Sequence, residues 1–151
     1  MKGKVMKGKV IAINRSEKKG VMKTPVGKGV FIENFGLEGD AHGGNWHRQV
    51  SLLGQESIDK MVALGAGELT PGNFAENITT EGITVYELPV GTRLKIGETL
   101  QEVTQIGKEC HKGCEIAKKV GDCVMPREGI FTIILKGGVV KPGDTIEVLE
   151  D

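Results

Sequence analysis

The sequence predicts a mostly β protein, a small closed or partly closed β-barrel with a few short helices. Short runs rich in β-branched residues recur along the chain, and turn signals such as Pro142-Gly143 separate them. Glycine accounts for 23 of 151 residues and follows no period, which is typical of tight turns and barrel corners. At this length the chain is most simply one domain, residues 1–151, that buries roughly 70% of its unfolded surface.

Apolar runs predict the strands in order. The main strands are expected at residues 9–13, 29–33, 48–53, 91–96, 98–106, 130–136 and 145–149. Residues 74–79 add a short extended piece, and residues 83–88 fit either a helical turn or a strand end. The stretch from residue 14 to residue 44 is glycine-rich and is predicted to be a long loop, interrupted by the strand at 29–33. The total is seven to nine strands.

Two short helices accompany these strands. In the first, residues 55–64, the side chains of Ile58, Met61 and Val62 mark one face, and Gly65 ends the helix. The second, residues 112–120, is predicted to end at Gly121.

Composition and charge exclude several classes of function. Lysine plus arginine equals aspartate plus glutamate at 20 each, and aromatic residues are few, so no nucleic-acid partner is expected. No apolar run approaches the roughly 18 residues of a membrane span, and the N-terminus has no signal-peptide pattern. Three cysteines in a chain of this kind predict reduced thiols and a cytoplasmic location.

All three cysteines lie in residues 106–129, and Cys110 is the primary candidate for chemistry. It follows a predicted strand and precedes a predicted helix, with Lys108, His111 and Lys112 around it. Nearby positive charge and the helix dipole both favour a thiolate, the form of cysteine that attacks, carries sulfur or binds a soft metal.

The other two cysteines have simpler interpretations. Cys114 lies one helical turn from Cys110, so a redox disulfide between them is geometrically feasible, but Cys114 and Cys123 also fit burial as small apolar side chains. The spacing lacks any C-x2-C pair, which argues against a zinc or iron–sulfur site made by the protein alone.

Further polar candidates lie in a glycine-rich loop at residues 38–48. Its glycines allow close backbone approach to a ligand, with Arg48 as a bidentate phosphate clamp and His42 as a hydrogen-bond donor or proton carrier. A surface loop in which Asp40 and His42 pair locally fits equally well.

Two more motifs supply polar side chains. Arg127 either faces the same pocket as Cys110 or forms an ordinary surface pair near Glu128. Glu76 and Asn77 serve either as polar pocket groups or as part of ordinary turn chemistry.

The order of these motifs resembles the MOSC domain, named for the C-terminal part of molybdenum cofactor sulfurases. The resemblance covers about residues 7–150, and the chain looks like a small stand-alone bacterial member. The matching motifs are Gly39-Asp40-x-His42-Gly43-Gly44, Arg48-Gln-Val, Pro71-Gly72 with Glu76-Asn77-Ile78-Thr79, a strand leading to Cys110, and Arg127 before a closing β segment.

The resemblance implies a barrel of the pyruvate-kinase-barrel type and a role for Cys110 as a persulfide sulfur carrier or as a ligand of molybdenum or tungsten. The pterin ring and phosphate of the molybdenum cofactor, or another small anion, would be held by residues at the matching positions: His42, Arg48, Asn77, Lys108 and Arg127. Neither a pyridoxal-phosphate domain nor an iron–sulfur domain is expected in these 151 residues, so a cysteine desulfurase or molybdoenzyme partner is implied.

Two departures from the family pattern bear on this site. Many members have Arg-x-Pro before the cysteine, where this chain has Lys108 and Glu109, and a lysine binds phosphate as a point charge rather than as a fork. Ala75 stands where glycine is usual before Glu-Asn.

Three classes of function follow. The first is a sulfurtransferase or a component of a molybdenum-cofactor-dependent reductase. The second is a non-catalytic module that binds or delivers the cofactor. The third is a cysteine hydrolase with His42, His47 or His111 as the base and Asp40 as its orienting partner, although no local protease signature supports it.

Overall fold

The computed structural model describes residues 7–19, 21–107 and 125–149. Several sequence-based predictions concern residues outside these ranges and stay predictions: the roles of Lys108, Cys110, His111, Cys114 and Cys123, and the helix at 112–120.

Eleven short strands lie in the described residues. They are β1 (Lys7–Arg15), β2 (Thr24–Val26), β3 (Gly29–Ile32), β4 (Gly36–Leu37), β5 (Val50–Gly54), β6 (Ile78–Glu81), β7 (Arg93–Ile96), β8 (Thr99–Ile106), β9 (Ile130–Lys136), β10 (Gly138–Val140) and β11 (Thr145–Leu149).

Seven of these strands close into a barrel in the order β1-β6-β5-β9-β8-β7-β11, and β11 pairs back to β1. The neighbouring pairs are antiparallel except β5 and β6, which run parallel. The predicted fold class, a mostly β barrel with a few short helices, is therefore confirmed.

The stretch predicted as a long loop carries more structure than expected. Besides β3, it contains β2, which pairs with β1, and β4, which pairs with β3. Strand β3 also pairs with β10, so β10, β3 and β4 form a small three-stranded sheet. Strands of two or three residues are too short to show an alternating pattern, so the sequence could not reveal them.

The inside of the barrel is filled by apolar side chains. Each of its seven strands contributes at least one, and the set includes Val10, Leu52, Ile78, Leu94, Val103, Ile130 and Ile146, all at most 1% exposed. Burial of each such side chain stabilises the fold by roughly 1.5–3 kcal/mol. Small barrels of this kind leave no room for a ligand inside, so a binding site has to lie outside the wall or at its ends.

A second apolar cluster lies under helix α1 (Gln55–Met61). Ile58 and Met61 are buried in it as predicted, but Val62 is 43% exposed, so the predicted helical face was too wide. After Met61 the chain forms a π turn, Val62–Ala66, and Gly65 at φ +101° ends the helical path. The cluster also includes Leu53 of β5 and Phe131 of β9, so α1 packs against these two strands.

The remaining segments settle two open assignments. Of the extended piece predicted at 74–79, only residues 78 and 79 lie in a strand, because β6 begins at Ile78 and residues 74–77 form a turn and irregular backbone. Residues 83–88 contain a short 3-10 helix, Val85–Glu87. Helix α2 (Met125–Glu128) leads into β9. In the part of the chain that the structure describes, no helix has the length and apolar character needed to cross a membrane.

Candidate functional site

The segment that carries the cysteines begins and ends at two adjacent points of the barrel. Strand β8 ends at Ile106, and the backbone N–H of Gly107 donates to the carbonyl of Gly129, 2.6 Å away, just before β9. Gly107 is the last described residue before Cys110, so the residues around Gly107 form the root of the cysteine segment.

Arg48 lies at this root. Its Nε donates to Oε1 of Gln105 (3.1 Å), and its guanidinium carbon is 5.4 Å from the centre of the Phe131 ring. Gln105 in turn donates from Nε2 to the carbonyl of Gly107 (2.8 Å). One glutamine side chain therefore connects Arg48 to the backbone three residues before Cys110.

His47 shares the same glutamine. Its Nε2 is 3.1 Å from Oε1 of Gln105, and because that oxygen can only accept, the proton of the imidazole lies on Nε2. The carbonyl of His47 accepts a hydrogen bond from the Thr104 hydroxyl, which fixes the loop against β8.

The charge of Arg48 is not neutralised by any carboxylate among the described residues. The ion pairs found there involve other side chains, such as Arg93 with Glu102 and Lys60 with Glu128. Arg48 is half-buried, and its Nε is already bonded to Gln105, so the two terminal nitrogens stay available for a bidentate anion.

A second polar cluster holds His42 at the start of the same loop. Asp40 accepts a hydrogen bond from Nζ of Lys23 (2.8 Å), and both side chains are completely buried. Lys23 Nζ is also 3.1 Å from Nδ1 of His42 and 3.1 Å from the hydroxyl oxygen of Ser16. Asp40 and His42 therefore do pair locally, and the partner that joins them is Lys23.

Asp40 is held as a carboxylate. Burial alone raises its pKa, but hydrogen bonds from Lys23 and the Ser16 backbone, together with the charge of Lys23, outweigh burial, and the pKa of Asp40 lies well below its ordinary value. The backbone N–H of His42 donates to Oδ2 at 3.1 Å, whereas Nδ1 of its ring is 3.7 Å from that oxygen, too far for a hydrogen bond.

Asn77 is completely buried and binds backbone groups of two strands. Its Oδ1 accepts from the Ser51 backbone N–H in β5 (3.0 Å), and its Nδ2 donates to the Asn14 carbonyl in β1 (3.2 Å). Asn77 thus fixes β5 and β1 to one another, and its side chain has no exposed surface that a ligand could contact.

Glu76 organises the turn before Asn77. Its carboxylate accepts from the backbone N–H groups of Gly72 (3.0 Å) and Phe74 (3.2 Å) and from the Thr79 hydroxyl (2.7 Å). Burial raises the pKa of Glu76, and these hydrogen bonds offset only part of that effect. The turn chemistry predicted as an alternative is therefore what the structure contains at Glu76.

The two buried networks and the Arg48 site are contiguous. The backbone N–H of Lys23 donates to the Gly72 carbonyl at 2.9 Å, joining the Lys23 cluster to the turn. Ser51, which Asn77 holds, is the strand partner of Phe131, and the Arg48 guanidinium lies over that ring. The matched motifs form one framework around the outer face of β5 and β9.

Arg127 lies at the end of the cysteine segment, just before β9. It is exposed on α2, the element by which the chain returns from the cysteine segment, and α2 contacts β5 and β8. Its neighbour Glu128 anchors α2 to α1 by accepting from the Ser57 hydroxyl (2.6 Å) and from Lys60 (3.0 Å). Arg127 therefore belongs to the element that follows the cysteine segment, whereas Arg48 belongs to the loop that contacts its root through Gln105.

Sequence reasoning missed Lys23, Ser51 and Gln105. The burial of Lys23 could not be predicted, because a lysine in a glycine-rich stretch is normally exposed. In the structure its side chain has no exposed surface. Gln105 is one of several polar residues in β8. Within residues 7–19, 21–107 and 125–149, no group of three or more histidine, aspartate or glutamate side chains could hold a metal ion.

A family model and a curated protein both match this chain. The MOSC domain family model matches residues 38–147. The uncharacterized protein YflK of Bacillus subtilis (strain 168) is 27% identical over 149 residues, covering 86% of this chain; the chain spans 63% of the length of YflK.

Solved structures share the fold. The YuaD protein from Bacillus subtilis superposes with a TM-score of 0.76 at 21% identity, covering 96% of this chain and 97% of that one. YiiM from Geobacillus stearothermophilus gives 0.72 at 21% identity, covering 95% of this chain and 75% of that one.

Proposed function

Because this chain belongs to the MOSC domain family, which is associated with molybdenum cofactor sulfurase-like proteins, we propose that it is a molybdenum-cofactor-associated protein whose Cys110 carries sulfur as a persulfide or ligates molybdenum. The observation that carries this proposal is the position of Arg48, bonded through Gln105 to the backbone of Gly107 at the root of the Cys110 segment.

The described residues fit the phosphate end of the cofactor. Arg48 has no carboxylate partner among them, and a planar guanidinium binds phosphate through two parallel hydrogen bonds. The cation–π contact with Phe131 and the hydrogen bond to Gln105 hold the guanidinium in one orientation before a ligand arrives. Lys108 and Arg127 would add positive charge from the two ends of the segment, and His42 would add a hydrogen-bond donor.

Asn77 contributes indirectly. Since its side chain is completely buried and bonded to β1 and β5, we assign it to holding β5, the strand that follows the Arg48 loop, rather than to touching the cofactor.

In the carrier role, the Cys110 thiolate attacks the outer sulfur of a persulfide on a partner cysteine desulfurase. A sulfur–sulfur bond forms at Cys110, and the partner's own thiolate leaves. The same exchange, with Cys110 as the leaving thiolate, passes the sulfur on to the acceptor. This exchange needs reduced thiols, which places the proposed activity in the cytoplasm.

In the ligand role, bound molybdenum would supply redox chemistry, and the protein would act as a component of a reductase. Thiolate sulfur is a soft ligand and suits both roles.

Metal analysis separates the ligand role from the others. Protein purified from a host that makes the cofactor is assayed for molybdenum and phosphorus, beside Cys110→Ala and, as a matched control, Cys123→Ala. A cysteine ligand predicts loss of molybdenum in Cys110→Ala alone. Equal retention of the metal in all three proteins would eliminate Cys110 as a ligand.

Mass spectrometry tests the carrier role. After incubation with a cysteine desulfurase and free cysteine, Cys110 is expected to gain one sulfur atom, and dithiothreitol is expected to remove it. A protein that acquires no sulfur on Cys110, and whose Cys110→Ser variant still binds its partner, would instead be a non-catalytic delivery module.

A further inference from the structure

We infer that Lys23 is a positioning residue that holds His42 as a neutral imidazole with its proton on Nε2. His42 then offers one outward N–H donor to an acceptor oxygen of the bound anion, a role that rests on the cofactor pocket proposed above. The buried Lys23 ammonium, rather than Asp40, orients the ring.

The hydrogen-bond directions around Lys23 fix the position of the imidazole proton. The ammonium has three N–H donors, and three atoms lie within reach: Asp40 Oδ1 (2.8 Å), Ser16 Oγ (3.1 Å) and His42 Nδ1 (3.1 Å). The Ser16 hydroxyl donates its own proton to the Lys18 carbonyl (2.9 Å), so its oxygen accepts from Lys23. The third donor therefore points at Nδ1, which has to be unprotonated.

Charge balance supports this assignment. The Asp40 carboxylate is completely buried, and the cation nearest to it is Lys23, at 2.8 Å. If Lys23 were neutral, no fully charged group among the described residues would lie within hydrogen-bond distance of that carboxylate, which is unfavourable in the interior. Lys23 thus stays charged and remains a donor toward Nδ1.

The rest of His42 is held in place as well. Its backbone N–H bonds to Asp40, and its carbonyl accepts from Nε1 of Trp46 at 2.8 Å. The His42 side chain is 19% exposed, and Nε2 has no hydrogen-bond partner in the described part of the chain. The one free polar atom of the imidazole is therefore a donor at the surface.

This arrangement has a consequence for catalysis. A histidine that serves as a general base, as in a Ser-His-Asp triad, donates from Nδ1 to a carboxylate and keeps Nε2 unprotonated. In this protein Nδ1 is 3.7 Å from Asp40 and faces an ammonium. His42 is then arranged to donate a hydrogen bond from Nε2 and not to take up a proton there. This argues against the hydrolase in which His42 would activate Cys110 as a general base.

Nuclear magnetic resonance of protein labelled with nitrogen-15 at histidine tests the tautomer directly. Long-range proton–nitrogen correlations at neutral pH are expected to show His42 protonated at Nε2 only, with His42→Gln used for assignment among the three histidines. A proton on Nδ1, or an imidazolium, in the wild-type protein would overturn the inference.

The role of Lys23 requires a change of the lysine itself. In the double variant Lys23→Met/Asp40→Asn, which removes both buried charges together, His42 is expected to lose its single tautomer and exchange between the two forms. Lys23→Arg keeps a donor and is expected to restore much of the Nε2 form. An unchanged His42 signature in the folded double variant would show that Lys23 does not set the tautomer.

Binding of inorganic phosphate tests the ligand side. His42→Leu removes the donor and is expected to weaken phosphate binding about tenfold, whereas His42→Gln keeps an N–H donor and loses less. If His42→Leu and His42→Gln bound phosphate with the same affinity, a donor role for His42 would be contradicted. If the wild-type protein binds no phosphate at all, the proposed pocket fails, while the tautomer is decided separately by the nitrogen spectra.

Discussion

Individual buried side chains determine the shape of the loop that precedes Arg48. Lys23 and Asp40 form an ion pair with no exposed side-chain surface, and each also bonds to a further polar group of the cluster. Taking two charges out of water is unfavourable, and only good geometry and additional hydrogen bonds compensate for it. Removal of one member therefore leaves the other buried without a countercharge.

Asp40→Asn is expected to lower the free energy of unfolding by roughly 3–5 kcal/mol at pH 7, because Lys23 would be left unpaired in the interior. The pKa of Asp40 is lower in the folded than in the unfolded state, so its ionisation stabilises the fold above about pH 4, and that stabilisation is lost as the pH falls below this value.

Urea unfolding between pH 7 and pH 3 measures this effect. The acid-induced loss of stability should be smaller in Asp40→Asn than in the wild-type protein. Asp59→Asn, at an exposed position of α1, is the control and should change stability by less than about 0.5 kcal/mol. A parallel decline of Asp40→Asn and wild type would contradict the pairing.

Ala75 has a left-handed backbone, with φ at +61°. A left-handed backbone favours glycine, since a Cβ there is unfavourable by roughly 1 kcal/mol. The surrounding contacts keep the residue in place: its N–H donates to the Gly72 carbonyl, and its own carbonyl accepts from the Ser51 hydroxyl.

Ala75→Gly should therefore raise the free energy of unfolding by about 0.5–1 kcal/mol, measured by chemical denaturation. Ala63→Gly makes the same chemical change in the exposed helical turn after α1 and should destabilise the protein by a similar amount. Changes of the same sign in both variants would rule out backbone strain as the cause.

Among the elements, the end of β8 and the start of β9 matter most, because the cysteine segment leaves and returns there. The bond from Gly107 to Gly129 closes its root, and Gln105 connects the root to the loop that carries Arg48. Arg48 thereby has a fixed orientation on Phe131, which favours a planar, two-point contact with an anion.

Arg48→Lys keeps the positive charge but loses the two parallel N–H donors of the guanidinium and its contact with the Phe131 ring. It should therefore weaken phosphate binding about tenfold, as followed by titration of the protein with inorganic phosphate. Arg93→Lys alters an exposed pair with Glu102 on β7 and β8 and serves as the control. Undiminished binding by Arg48→Lys would mean that charge alone, and not the guanidinium geometry, holds the anion.

The longer strands and α1 were predictable from sequence because their apolar patterns are long. The strands at 130–136 and 145–149 agree residue for residue with β9 and β11. The short strands β2, β4 and β10 were not predictable, since their pairing depends on distant partners rather than on local pattern. The extended piece predicted at 74–79 is wrong for residues 74–77, where the apolar residue Phe74 is buried against α1 rather than in the sheet.

At the level of the whole molecule, the barrel interior is filled with side chains, so a binding site has to lie outside the barrel. Residues from all seven barrel strands fill the core, so the polar framework of Lys23, Glu76 and Asn77 lies where the loops meet the wall. The sequence indicated Asp40, His42, Arg48 and Asn77 by motif, but not that Lys23 joins two of them. That contact forms between segments 17 and 19 residues apart and depends on the folded loop.

We propose that Cys110 is a reactive thiolate whose negative charge Arg48 helps to stabilise, and thiol alkylation measured against pH tests this proposal. Mass spectrometry after brief exposure to iodoacetamide gives the rate at each of the three cysteines. Cys110 is expected to reach half-maximal reactivity at a pH below the value of about 8.5 for free cysteine, and Arg48→Ala is expected to shift this midpoint upward. A midpoint at or above that of free cysteine, unchanged in Arg48→Ala, would contradict it.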